Sequence, residues 1–262
     1  MIQLAEKFWQ KNLLYQRDFR NGSRKRFWIT TTIIIFISFP ALVKTGESAD
    51  FYTWSDIATI YKFSDDWRYD GDQGIRGVLS QSDFTLLYFR PSVRYRAKSW
   101  FTVHGGIRFF KTFFDEGDDT FEIGPWQGLR FVWPMIGNYA VSHYFRLEER
   151  MIWQTEGESD FDFTLRGRYQ LGLRSPNYDI LFKNGIYLLG SVELFWNLED
   201  SFTDNFVNRI RYDLGVGTKV SDAWRVQLHY VLQDGKEIEQ VFQDLLDSDE
   251  HILRLRLFYT FN

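Results

Sequence analysis

Apolar and polar residues alternate along most of this chain with a period of two. In Asp160–Arg174 the odd positions are Phe161, Phe163, Leu165, Gly167, Tyr169, Leu171 and Leu173, and the even positions include Asp162, Arg166, Arg168 and Arg174. That is the period of a β-strand, whose side chains point alternately to opposite faces, and not the 3.6-residue period of a helix. The pattern recurs in Tyr139–Trp153, Phe206–Lys219, Trp224–Gln233 and the closing run Leu253–Phe261. Strand segments are predicted over 51–63, 67–78, 83–96, 100–114, 120–133, 138–154, 159–174, 184–198, 206–219, 224–234 and 250–262. Single-chain bacterial barrels have even strand counts, so ten or twelve strands are expected, with one boundary misplaced.

The segments are long for a globular sheet, where strands of about five or six residues are usual, and long enough to cross a bilayer while tilted. One face is rich in Phe, Tyr, Trp and Leu, and the other in charge. The predicted fold is therefore all-β: a transmembrane, antiparallel, up-and-down β-barrel of about 10–12 strands. A secreted β-sandwich or a periplasmic lipocalin-like barrel is the alternative. Three tight turns look alike, Ser64–Trp67, Ala97–Trp100 and Ser221–Trp224, each a short polar link ending in Trp. Short turns belong to the periplasmic side of an outer-membrane barrel and Trp to the membrane interface, so Trp67, Trp100, Trp153 and Trp224 are expected in the interfacial belts. The longer acidic connections, 115–119, 154–160, 197–205 and 234–250, are expected on the outer side.

The N-terminus breaks the pattern. Residues 1–26 carry seven basic residues against two acids, and Phe27–Val43 is a run of 17 mostly apolar residues interrupted by Pro40. Small residues Gly46, Ser48 and Ala49 follow. A basic region, an apolar core and a small-residue end describe a secretory signal, with cleavage after Ser48 or Ala49. Residues 1–49 are thus expected to be a signal peptide and 50–262 an outer-membrane barrel. An uncleaved anchor is the alternative, and the long basic region also fits a start site assigned too far upstream.

Composition narrows the function. With no Cys among 262 residues, a disulfide scaffold, a cysteine nucleophile and a lipoprotein are excluded. The formal charge of −4 offers no basic footprint for nucleic acid. Without residues 1–49 the chain has 23 basic residues, 17 of them Arg, against 32 acidic ones, a net charge of −9.

The inward charge is the candidate site. By parity Arg94, Arg108, Arg146, Glu148, Arg150, Arg166, Arg168, Arg209, Arg211, Arg254 and Arg256 face the lumen, with Glu193 and Asp213 as further acidic partners. Arg suits such a place because its planar fork pairs with carboxylates and stays charged. The arrangement reads either as a structural ladder filling a narrow barrel or as an anion-attracting lumen. Among the four His, His104 and His229 point inward and His143 outward. Ser142 and His143 are adjacent and so face opposite sides, which leaves a lipid-facing Ser–His pair unformed locally. No His/Asp/Glu set has metal-site spacing, and no cofactor is expected. The acidic clusters Asp70-Gly71-Asp72, Asp115–Asp119 and Asp244–Glu250 read as solvated loops, or as oxygen ligands for Ca²⁺.

Trp54, the Ser64–Trp67 turn, Arg90-Pro91-x-Val93-x-Tyr95, Arg146-Leu147-Glu148-Glu149-Arg150 and Glu193-x-Phe195 together resemble the DUF2490 family of Gram-negative outer-membrane barrel proteins, over about residues 51–262. The resemblance implies fold and location; the family's function is unknown. The closing Leu255-x-Leu257-x-Tyr259-x-Phe261-Asn262 resembles the outer-membrane assembly signal, with the aromatic penultimate. The expected function is a structural barrel or a narrow, porin-like channel for small polar or anionic solutes. A lipid-active enzyme and a barrel that docks an envelope partner through acidic outer loops are the alternatives. Expected partners are outer-membrane lipid, lipopolysaccharide and the barrel-assembly machinery.

Overall fold

The structure, a computed structural model, describes residues 50–78, 84–115, 117–133, 136, 138–155, 161–180, 184–198, 209–234 and 250–261. They form twelve strand segments: β1 (Asp50–Lys62), β2 (Trp67–Val78), β3 (Phe84–Arg90), β4 (Ser92–Lys98), β5 (Phe101–Phe114), β6 (Thr120–Val132), β7 (Ala140–Gln154), β8 (Phe161–Arg174), β9 (Ile186–Asn197), β10 (Arg209–Lys219), β11 (Trp224–Asp234) and β12 (Glu250–Thr260). Residues 235–249, with the Asp244–Asp249 part of the third acidic cluster, lie outside the described residues.

β3 and β4 are two halves of one stave, since both lie between β2 and β5. The break falls at Pro91, which has no N–H to give the ladder. The barrel therefore has eleven staves. The even number expected from the sequence is corrected, and the physical consequence is at the seam. Ten junctions are antiparallel, but β1 closes on β12 in parallel, in register from Asp50↔Glu250 to Ile60↔Thr260. An odd number of alternating staves leaves the first and last running the same way.

Alternation also sorts the connections. The links after β1, β4, β6, β8 and β10 lie at one end, and those after β2, β5, β7, β9 and β11 at the other. The first end holds the tight turns. In two of them a Ser side chain caps the turn: Trp67 N–H donates to Ser64 Oγ at 3.1 Å, and Trp224 N–H to Ser221 Oγ at 3.1 Å. The Lys219 ammonium, 2.6 Å from Asp222, holds that exposed carboxyl below its usual range.

The two faces are inverted relative to a water-soluble protein. Ile57, Ile75, Leu87, Leu129, Phe145, Phe163, Leu171, Leu228 and Leu255 are exposed on the outside, whereas Asp56, Arg108, Glu122, Glu148 and Glu193 are buried on the inside. A continuous apolar outer surface of this kind is foreign to soluble monomers. Strands of about 12 residues rise roughly 40 Å, or roughly 28 Å along the axis at a 45° tilt, the thickness of a hydrocarbon core.

Aromatic side chains bound this apolar band at both ends. At the tight-turn end Trp67 packs on Tyr95 at 4.7 Å, Trp224 on Tyr259 at 4.8 Å, and Trp100 on Phe101 at 5.8 Å. At the opposite end Trp153 lies between Phe121 (6.3 Å) and Phe161 (5.3 Å).

Candidate functional site

The inner face carries a belt of ion pairs that runs around the barrel. Its hub is Glu148, fully buried on β7. Glu148 Oε2 accepts from Arg108 Nη1 at 2.6 Å, Arg166 Nη2 at 2.6 Å and Arg166 Nε at 2.8 Å. Glu148 Oε1 accepts from Arg168 Nη1 at 2.8 Å and Arg146 Nη1 at 3.1 Å. One carboxylate thus gathers four guanidiniums from β5, β7 and β8.

Local sequence makes this possible. Strand alternation puts Arg146, Glu148 and Arg150 on one face, and register sets Arg166 opposite Glu148 and Arg168 opposite Arg146. Arg108 comes from β5 and has to pass β6 to reach Glu148. It does so over Gly124, where any Cβ would collide with the Arg108 side chain. Arg108 Nη2 also lies 2.7 Å from Glu122, which Arg150 holds from the other side at 2.8 Å.

The belt continues in both directions. Arg168 bridges Glu148 to Glu193 on β9 at 2.5 Å, and Glu193 accepts from Arg211 on β10 at 3.2 Å. Arg211 in turn sits 5.1 Å from the ring of Trp54 on β1. Trp54 is buried and also receives Arg254 at 5.6 Å and Arg76 at 4.2 Å. Asp56, beside it on the same face, binds Arg254 and Arg256, each at 2.7 Å. Arg256 then reaches Asp72 on β2 at 3.5 Å, and Asp72 pairs with Arg90 of β3 through two bonds, one of 2.9 Å from Nε. Finally Phe110 takes Arg76 on one side at 5.8 Å and Arg108 on the other at 5.5 Å. That contact links the two ends of the run.

Charge is not balanced along this face. Among the described residues, eleven arginines (Arg68, Arg90, Arg94, Arg108, Arg146, Arg150, Arg166, Arg168, Arg211, Arg254 and Arg256) share six carboxylates, those of Asp56, Asp70, Asp72, Glu122, Glu148 and Glu193. Arg76 adds a further cation, stacked over the rings of Trp54, Tyr88 and Phe110. Arg is fit for this setting because its weakly hydrated plane can both pair with carboxylates and stack on rings.

The residues singled out in the sequence fall into three groups. Arg108, Arg146, Glu148, Arg150, Arg166, Arg168, Glu193, Arg211, Arg254 and Arg256 meet in the belt. Arg94 stands apart, paired with Asp70 nearer the tight-turn end. Arg209 and Asp213 share the parity of Arg211 on β10 but take no part in the belt. Arg209 is the first residue of β10, exposed and outside the belt. Asp213 pairs with His229, Nδ1 to Oδ1 at 2.6 Å, rather than with an arginine.

One expectation is corrected outright. Asp70 and Asp72 are not in a solvated loop or a cation site; they lie in β2 and face inward, tied to Arg68, Arg94, Arg90 and Arg256. Trp54, Asp56, Arg76 and Arg90 were missed as members of the site. Their signal was available: Trp54 and Asp56 share a parity, as do Asp70, Asp72 and Arg76.

The outer face holds no serine–histidine pair among the described residues. His143 Nδ1 bonds to Tyr169 at 2.7 Å, while Ser142 faces inward and accepts from Arg130 at 3.1 Å.

Residues 51–241 match the family model described as "Protein of unknown function (DUF2490)". No curated protein matches the chain. Similar solved structures include the translocator domain of autotransporter NalP from Neisseria meningitidis, at 14% identity, covering 67% of this chain and 72% of that one with a TM-score of 0.43. The NanC porin is similar at 11% identity, over 70% of this chain and 81% of that one, with a TM-score of 0.43. The β domain of the Bordetella autotransporter BrkA is similar at 10% identity, over 67% and 80%, with a TM-score of 0.44.

Proposed function

The chain belongs to the DUF2490 family, and we propose that it is an outer-membrane barrel whose arginine-rich lumen admits small anionic solutes through a narrow, anion-selective path. The observation that carries this reading is the imbalance of eleven arginines against six carboxylates within the inner-face ion-pair network, with Asp213 and Glu250 on the same face outside it. A low-dielectric wall lined by one sign of charge concentrates the opposite ion. The outer-membrane location rests on the apolar outer band, its two aromatic borders and the signal-like residues 1–49. Lipid and lipopolysaccharide are the partners of that band. The closing strand, with Tyr259 and Phe261 packed edge to face at 4.8 Å, is the segment offered to the barrel-assembly machinery.

The belt makes the path narrow rather than open, because Trp54 of β1 reaches into the lumen past β12 and β11 to Arg211 of β10, 5.1 Å away. Planar-bilayer recording of the purified chain in a salt gradient tests the reading. The expected result is a small conductance with a reversal potential on the anion side, shifted toward zero by Arg211→Gln. Cation selectivity, or a folded barrel that never conducts, would leave the belt a purely structural ladder.

A further inference from the structure

Toward the tight-turn end of the lumen a second group of cations lies outside the belt. The Cα register brings it together: Arg68 faces Arg94 across β2 and β4, Arg94 faces His104 across β4 and β5, and Arg130 faces Tyr144 across β6 and β7. His104 stands opposite Gly128. That glycine is needed, since a Cβ there would sit 2.8 Å from Tyr144 Oη. The Tyr144 ring leans over the gap and comes within 5.1 Å of the His104 ring.

Two features mark this group as built to take something. First, His104 is 7% exposed and Tyr144 9%, yet His104 Nε2 and Tyr144 Oη have no hydrogen-bond partner among the described residues. The Nε atoms of Arg68 and Arg94 are likewise without one. Buried donors without acceptors carry a desolvation cost and are rare in folded proteins. Second, charge is uneven. Asp70 pairs with Arg68 at 3.1 Å and with Arg94, while Arg130 donates to the neutral Ser142 hydroxyl at 3.1 Å and has no carboxylate in ion-pair contact among the described residues. Three guanidiniums against one carboxylate leave two positive charges in excess.

We infer that Arg68, Arg94, Arg130, His104 and Tyr144 form a binding site for a small oxyanion of charge −2. Guanidinium forks grip two oxygens of a tetrahedral anion, and the Tyr144 hydroxyl and His104 in its Nε2–H tautomer supply single donors. The site deepens the anion-selective reading and rests on it only for the ligand's route into the lumen. Free phosphate and the phosphoryl group of an ester share this chemistry.

Equilibrium dialysis of the purified full chain in detergent, with radiolabelled inorganic phosphate, tests the site. Saturable binding near one phosphate per chain is expected. Arg130→Gln should weaken it at least tenfold and Tyr144→Phe severalfold, with Arg96→Gln, exposed near the end of β4 beside Asp66, unchanged. Tyr144→Phe keeps the ring and so keeps the fold, which heat-modifiability on gels verifies. Competition by sulfate but not by glycerol phosphate identifies a free-anion site, and competition by both identifies one that also accepts phosphate esters. Absent saturation, or binding indifferent to both Arg130→Gln and Tyr144→Phe, overturns the inference. A barrel that binds phosphate without conducting would keep the site and remove the channel, and a conducting barrel that binds none would do the reverse.

Discussion

Replacing Glu148 by Gln is the sharpest probe of the belt, because the change keeps shape and removes one charge. The five bonds to Glu148 run from two guanidiniums to each oxygen: Arg146 and Arg168 to Oε1, Arg108 and Arg166 to Oε2. An amide has one acceptor oxygen, and its NH₂ group must face the other pair, donor against donor. Arg168 and Arg108 have second carboxylates in Glu193 and Glu122 and keep part of their pairing. Among the described residues Arg146 and Arg166 ion-pair with Glu148 alone. Breaking a buried pair by removing one partner costs about 3–5 kcal/mol, since the remaining charge stays buried without compensation. Four guanidiniums around one lost carboxylate put Glu148→Gln at the upper part of that range. Urea unfolding in lipid vesicles, followed by Trp fluorescence, reads the difference between variant and parent. A second replacement, Arg146→Gln on the Glu148→Gln background, removes one surplus cation and is expected to recover part of the loss. A loss below about 1 kcal/mol, the value of an exposed pair, with no recovery in the double variant, would refute the belt as a buried network.

Three further outcomes follow from particular contacts. Gly124→Val fills the passage by which Arg108 crosses β6, and is expected to destabilise the barrel by about 1–3 kcal/mol, measured by the same unfolding. Trp224→Ala removes the packing on Tyr259 at 4.8 Å and is expected to cost about 0.5–1.5 kcal/mol beyond the loss of buried area, seen as a lower melting temperature on heat-modifiability gels. The parallel seam places the start of β1 beside the start of β12, at the end away from the tight turns. An epitope inserted before Asp50 and another after Phe261 are therefore expected on opposite sides of the membrane; equal protease protection of both in sealed cells would contradict the eleven-stave closure.

Strand positions were legible because each stave carries its own alternation. In β8 the run from Phe161 to Arg174 states both its period and its two faces without help from neighbours. The seam was not legible: nothing in the pattern of β1 or β12 says which strand lies beside it, so parity of the count was borrowed from other barrels. The β3–β4 break leaves only Pro91 as its mark. Among the charges, Glu148 and its neighbours stood out as a dense run on one strand. Asp56 is a lone acid in a neutral stretch, and Asp70-Gly71-Asp72 has the composition of a loop even though its parity points inward. The pairing of Arg108 with Glu148 skips a whole strand, and only the small inward residues Gly124 and Gly128 hint that long side chains lie across β6. Such contacts depend on curvature and register together, which one strand's sequence does not contain.

The central claim is that one face of every stave meets lipid and the other meets a charged interior. The chain has no Cys, so single cysteines at Phe163 and Leu171, and at Thr164 and Gln170, can carry nitroxide labels on alternate faces of β8. Labels at 163 and 171 are expected to collide with oxygen dissolved in the bilayer and to be shielded from a water-soluble nickel chelate, with oxygen less effective at 164 and 170. Equal oxygen access at all four positions, or greater access at 164 and 170, would contradict it.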